Sequence, residues 1–378
     1  MLLAKGKIRG QSSIIRMQTS KAPSGLASPV SGTPNYYPWF DWLRLVLAGA
    51  VLFGHEGLIA AWPMAANFAV QVFFALSGWL IGGLLLNTKI SELPRFYFNR
   101  ALRIWCPYFL ALSLLVAASL LRDSVTTTWV EVVFYKITFV YNLFGSPQLA
   151  SHALEMPLAG TGNHFWSVNA EEQFYLLAPL LLVIAPPRYG RSVIVWIALA
   201  TLAWVSGTYA SIVFGVLAAV IMNNHGAFQQ SGWTRLVAGL VAIMCALGFA
   251  AGMNYESLAP ICSIALVLLF AVNGHQHAWG QFAGGMSFPL YLNAWIAVFI
   301  SHALFRRLGM ANSFAQHAST IVLSLTIAGA LYWYFDRRIL ERRKQIYTPR
   351  RARAAIAIAY TSVAIGIGVG LVLAYRRS

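Results

Sequence analysis

Between Phe40 and Glu56 the chain reads FDWLRLVLAGAVLFGHE, an apolar run of bilayer-crossing length that nevertheless carries Asp41, Arg44, His55 and Glu56. An ionisable side chain at membrane depth costs at least ~2.5 kcal/mol on insertion scales, so it faces a protein interior and marks a pathway or a reaction site. Arg44 and His55 are eleven residues apart. On a helix that is three turns plus about 20°, so both project along one stripe. They are separated by about 16 Å along the axis, roughly half the hydrocarbon thickness, and cannot touch. Asp41, one turn before Arg44, is the expected ion-pair partner. His55 is the candidate general base. The plainer readings are a structural or snorkelling Arg44 and a hydrogen-bonded interior His55.

A second constellation lies in His164-Phe-Trp-Ser-Val-Asn-Ala-Glu171-Glu172-Gln173-Phe-Tyr175, which places two acids and an amide inside an apolar helix. Glu171 is about 10 Å below His164, and His55 is about 6 to 7 Å below the outer end of its own helix, so the two are expected to meet. A carboxylate beside an imidazole fixes its tautomer and stabilises the imidazolium formed when a hydroxyl proton is taken. The alternative is that Glu171 and Glu172 only tie helices together. A third group, Arg100 and Arg103 with Arg95 nearby, projects from one helix face, and guanidinium forks bind phosphate oxygens bidentately. Arginines of this kind also occur simply because positive charge marks the cytoplasmic side. With Arg44 deeper in, they describe an electropositive mouth for a phosphorylated cytosolic donor. Ser77-Gly78 reads as a close helix packing site rather than a nucleophile. Cys106, Cys245 and Cys262 lie in apolar segments without metal-ligand spacing, and His275 and His277 have no further ligands nearby, so no metal is expected.

The elements that must position these groups follow from composition. With 58% hydrophobic and 10% charged residues and a mean hydropathy of +0.64, the chain reads as an all-α polytopic membrane protein. About ten to eleven transmembrane helices are expected around a polar intramembrane cavity, with spans near 38–59, 68–86, 102–121, 165–184, 192–206, 208–223, 235–253, 257–272, 282–304, 313–335 and 354–374. Residues 129–144 are expected to form an outer-face or re-entrant helix. The +16 net charge does not indicate nucleic acid. In this layout twenty of the 27 Lys and Arg residues fall on the inner side, six outside and Arg44 within the membrane, as orientation by positive charge requires. Residues 1–35 lack the apolar core of a signal peptide and are expected to form a disordered basic cytoplasmic tail.

Together the segments resemble the acyltransferase-3 family of bacterial integral-membrane acyltransferases. Phe40 to His55 is similar to the family's first helix, with Asp41, Leu43-Arg44 and the Arg-x10-His spacing. Val70 to Ile81 matches its Phe-Phe-x-Leu-Ser-Gly segment, and Phe96 to Leu110 its Arg-x-x-Arg entrance, here Arg100 and Arg103. Trp166 to Pro179 matches the Trp-Ser-x-x-x-Glu-Glu-Gln-Phe-Tyr stretch, Ser287 to Trp295 the late Ser-Tyr-x-Leu-Tyr-Leu-x-His segment, and Tyr334 to Arg343 the end of the domain. Two departures stand out: Asn293-Ala294 where many members have a histidine, and Asn169-Ala170 where small residues are usual, a choice that could shape acceptor preference.

The resemblance implies a domain over 36–345 with ten spans, followed over 346–378 by an extra C-terminal transmembrane helix and by no soluble esterase-like domain, so a stand-alone transferase is expected. It implies transfer of an acyl group, in the first instance acetyl, from cytosolic acetyl-CoA to a hydroxyl of a surface carbohydrate or glycolipid at the bacterial inner membrane. His55 would be the base, assisted by Glu171; Arg44 would hold the donor; Arg100 and Arg103 would take its phosphates. The rival is a transporter or flippase with a buried charged pathway, which the lack of an internal repeat disfavours.

Overall fold

In the computed structural model, residues 36–59, 62–145 and 149–377 are described, and they form a helical unit without a strand among them. The basic tail expected over 1–35 lies outside the described residues. Among the described residues, thirteen α-helices of more than one turn run in order: α1 Pro38–His55, α2 Ala65–Leu86, α3 Leu93–Leu120, α4 Thr127–Ile137, α5 Trp166–Pro179, α6 Val193–Val205, α7 Ala210–His225, α8 Gly232–Ala250, α9 Tyr255–Phe270, α10 Ala278–Arg307, α11 Phe314–Leu331, α12 Arg337–Ile346 and α13 Pro349–Arg377. Among the described residues, six stretches are long and apolar enough to cross a membrane: Ala65–Leu86, Ile90–Leu120, Gly232–Ala250, Ala278–Arg307, Phe314–Ile346 and Pro349–Arg377. Over its described residues the protein is all-helical, and these stretches mark it as an integral membrane protein. Every segment expected to span is helical.

Local chemistry sets the helix ends. Pro38 and Pro94 occupy first turns, where a missing N–H costs nothing. Ser192, Ser231, Asn254 and Ser313 each accept a hydrogen bond from an otherwise unpaired backbone N–H at the start of α6, α8, α9 and α11. The third helix begins at Leu93, about two turns before the expected span, so Arg95, Arg100 and Arg103 are all helical. Expected helix 129–144 divides in two: α4 ends at Ile137, Phe139 has φ of 57°, and a single turn follows over Tyr141–Phe144.

Packing centres on α2, which carries no charged residue and lies chiefly against α7, while α1 packs on α10 and α10 on α11. The α2–α7 crossing is made by glycine. A side-chain carbon at Gly78 would overlap the Ile212 carbonyl, and one at Gly215 the Ala75 carbonyl, so backbone meets backbone as small residues in membrane helices allow. Ser77-Gly78 is thus a packing site, as expected. Helix α13 docks on α3 and α5: Tyr360 donates to the Leu176 carbonyl at 2.8 Å and pairs with Tyr97 at 2.8 Å.

Candidate active site

The polar residues of α1 serve two separate groups. At its start, Arg44 and Asp41 form an ion pair at 3.7 Å, and the Tyr36 hydroxyl donates to Asp41. Arg44 lies within electrostatic reach of Arg103 and Glu171 as well, and Arg100 within reach of Arg103 and Glu171. The sequence places Arg44, Arg100 and Arg103 together, and the structure does bring them together. Arg100 rests over the rings of Phe96 and Tyr175 at 5.8 and 5.7 Å, and its buried Nε has no hydrogen-bond partner. A cationic fork with a free N–H suits an anionic oxygen.

Glu171 belongs to this arginine group. Its Oε1 accepts hydrogen bonds from the Ser77 hydroxyl at 2.6 Å and from Tyr175. The expected His55–Glu171 couple is not formed. The physical reason is that His164 fills the space beside His55, while Glu171 sits two turns further along and turns toward α2. Glu172 is tied separately, accepting from the Trp105 indole at 2.9 Å.

His55 closes α1 and is exposed. It borders a cavity of about 190 Å³ together with Glu56, Gly162, His164, Tyr291 and Trp295. Arg44, Arg100, Arg103 and Glu171 do not line this cavity. The rings of His55 and His164 are 5.8 Å apart, tilted by 56°. The His164 backbone is fixed by Tyr291, whose hydroxyl donates to its carbonyl at 2.7 Å and pairs with Ser167 at 2.6 Å. Left-handed Gly160 and Gly162, with φ of 82° and 81°, let the loop turn inward ahead of α5.

The sequence reading missed the surroundings of this cavity. The Glu56 carboxylate, 1% exposed, is met by His302 Nε2 at 3.2 Å and His317 Nδ1 at 3.4 Å, from α10 and α11. Lys136, assigned to an outer connection, is buried, with its Nζ unpartnered and held over the Tyr141 ring at 4.6 Å. Burial holds its amine down at about 7. A lysine between two apolar stretches and histidines within apolar helices were the available signals. Asn169 is committed: it accepts from the Tyr141 N–H at 3.0 Å and donates to the Tyr108 hydroxyl at 2.9 Å and the Phe165 carbonyl at 3.1 Å. Both of its amide N–H groups are thus taken by the protein. No group of three metal-ligating side chains occurs among the described residues.

Residues 37–333 match the acyltransferase domain of the acyltransferase-3 family. The chain belongs to that family. The match covers α1 to α11 and stops before α12 and α13. Among curated relatives, a protein provisionally named as an O-acetyltransferase in Staphylococcus aureus strain COL is 25% identical over 293 residues, 71% of this chain and 46% of that protein. O-acetyltransferase OatA of Staphylococcus aureus strain NCTC 8325 / PS 47 is 28% identical over 171 residues, 42% of this chain and 26% of that protein. The chain spans about half, or less, of the length of the curated relatives it matches. No solved structure matches it. The family model is that of an acyltransferase domain, so the comparison favours the enzyme over the transporter.

Proposed function

We propose that this enzyme is an O-acetyltransferase that passes an acetyl group from cytosolic acetyl-CoA to a hydroxyl of a cell-envelope carbohydrate or glycolipid. The names of the relatives support acetyl transfer to oxygen. The positive charge of the 89–103 and 337–353 connections supports an orientation with those segments in the cytoplasm. In this reading α1, α5, α6, α7 and α9 also cross the bacterial inner membrane. Ten spans then make up the acyltransferase domain over 36–345, around a polar cavity, with α13 an additional span.

The observation that carries the reading is the division of α1 between an arginine group at one end and a cavity-lining histidine at the other. Arg100 and Arg103 bind the donor's phosphates, with Arg44 beneath them and Glu171 holding the cluster in place. The long pantetheine arm of the donor bridges the distance to His55. His55 takes the proton of the acceptor hydroxyl as its oxygen attacks the thioester carbonyl; the new C–O bond forms, the C–S bond breaks, and the sulfur departs as thiolate and is reprotonated. Positioning of this kind contributes rate by holding both substrates in reacting geometry. The test is purified protein with acetyl-labelled acetyl-CoA and glycan from a deletion strain, which should become labelled. Absence of labelling contradicts the reading.

A further inference from the structure

The cavity beside His55 holds two polar groups that no protein atom satisfies. His164 Nε2 and Trp295 Nε1 are both buried without a hydrogen-bond partner, and both residues line the cavity. A buried unsatisfied donor or acceptor costs roughly 1 to 3 kcal/mol, so two in one cavity are a standing penalty unless a bound molecule takes them up. Their neighbours decide what kind of molecule. Tyr291, Trp295 and Phe299 give the cavity aromatic walls, and the one acid at its rim, Glu56, is engaged by His302 and His317. Aromatic faces with separate N–H groups suit a neutral, hydroxyl-bearing ring better than an anion, for which there is no arginine here.

The His55 and His164 ring centroids are 5.8 Å apart and both residues line the cavity, so a hydroxyl entering it lies near both imidazoles. Resting on the function proposed above, we infer that this cavity is the acceptor subsite and that His164 is a second catalytic residue, its imidazole hydrogen-bonding the hydroxyl oxygen that His55 deprotonates, with Trp295 Nε1 binding a neighbouring oxygen of the same ring. Burial, with His55 and Lys136 close by, pushes His164 down to about 3. It stays neutral while its neighbour takes the proton. Two imidazoles in one site thus have different tasks because their surroundings differ, as pairs of titratable groups in active sites often do. The proton moves from the hydroxyl to His55 only, and His164 donates a hydrogen bond without changing its own protonation.

The experiment measures steady-state transfer from acetyl-labelled acetyl-CoA to glycan extracted from a deletion strain, for wild type, His55→Ala, His164→Ala, His164→Gln and Trp295→Phe. For His164→Ala the acceptor KM should rise or kcat fall at least tenfold with the acetyl-CoA KM unchanged. His164→Gln keeps a side-chain N–H and should recover part of the loss, which a merely structural role would not give. Trp295→Phe should raise the acceptor KM alone, by about fivefold. If His164→Ala keeps wild-type constants while His55→Ala is inactive, the role of His164 is overturned and the proposed function stands. A His164→Gln enzyme no better than His164→Ala also overturns it. Lack of transfer by the wild type overturns both.

Discussion

Ser77 on α2 donates a 2.6 Å hydrogen bond to Glu171 on α5, joining residues 94 positions apart. The contact looks like a nucleophile with its base, but the same Glu171 oxygen also accepts from Tyr175, and Arg44 and Arg100 stand nearby. The two donors hold that one oxygen between them. Its contribution is to join α2 to α5. Ser77→Ala should therefore cost about 1 kcal/mol in thermal stability, as membrane interhelical hydrogen bonds do, and leave transfer within a few-fold of wild type. An acetyl group found on Ser77 by mass spectrometry after reaction with donor alone would refute this.

Glu171→Gln tests the arginine group. Removing the carboxylate leaves Arg44, Arg100 and Arg103 mutually repelling, so the KM for acetyl-CoA should rise roughly tenfold, about 1.4 kcal/mol, and become more sensitive to salt. The pH dependence of kcat should keep its shape, because Glu171 does not touch His55. A changed pH profile at unchanged donor KM would restore the His55–Glu171 couple.

Lys136 gives a pH test of stability. Its amine titrates at about 7 in the fold and near 10.4 in an unfolded chain. Between those values the unfolded state binds more protons, so stability from this residue rises with pH from about 7 to 10 and the penalty is fully present below 7. Lys136→Met should raise stability at pH 7 by on the order of a few kcal/mol and flatten that rise, read from melting temperatures in detergent between pH 6 and 10. A variant that is less stable at pH 7 would show that the charged amine is needed.

Much of the scaffold was legible, because apolar runs of spanning length and a Ser-Gly packing step each act locally. The Asp41–Arg44 pair followed from one helical turn. The company of Arg44, Arg100 and Arg103 followed from depth and charge. Depth alone did not fix what stands beside His55, since helix position says how far Glu171 is from the surface but not which neighbour α5 turns it toward. The inward loop at Gly160 and Gly162 has no periodicity to read, and it carries His164 to the place expected of Glu171. Likewise His302 and His317 converge on Glu56 only through the packing of α10 and α11 against the end of α1.

Gly78→Val tests the α2–α7 crossing on which the bundle depends. The added carbons have the Ile212 carbonyl in their way, so the helices must part, at a cost of ~1 to 3 kcal/mol or more. Reduced yield of folded protein and a lower melting temperature are expected; a melting temperature equal to wild type would mean the helices separate freely.

The most direct measurement is acetyl transfer by His55→Ala, purified beside wild type and shown to bind acetyl-CoA with equal affinity. The account predicts a loss of at least about 100-fold in kcat with donor binding intact, the scale of a removed general base. Transfer at the wild-type rate would mean that the histidine at the end of α1 takes no proton and that the chemistry lies elsewhere in the molecule.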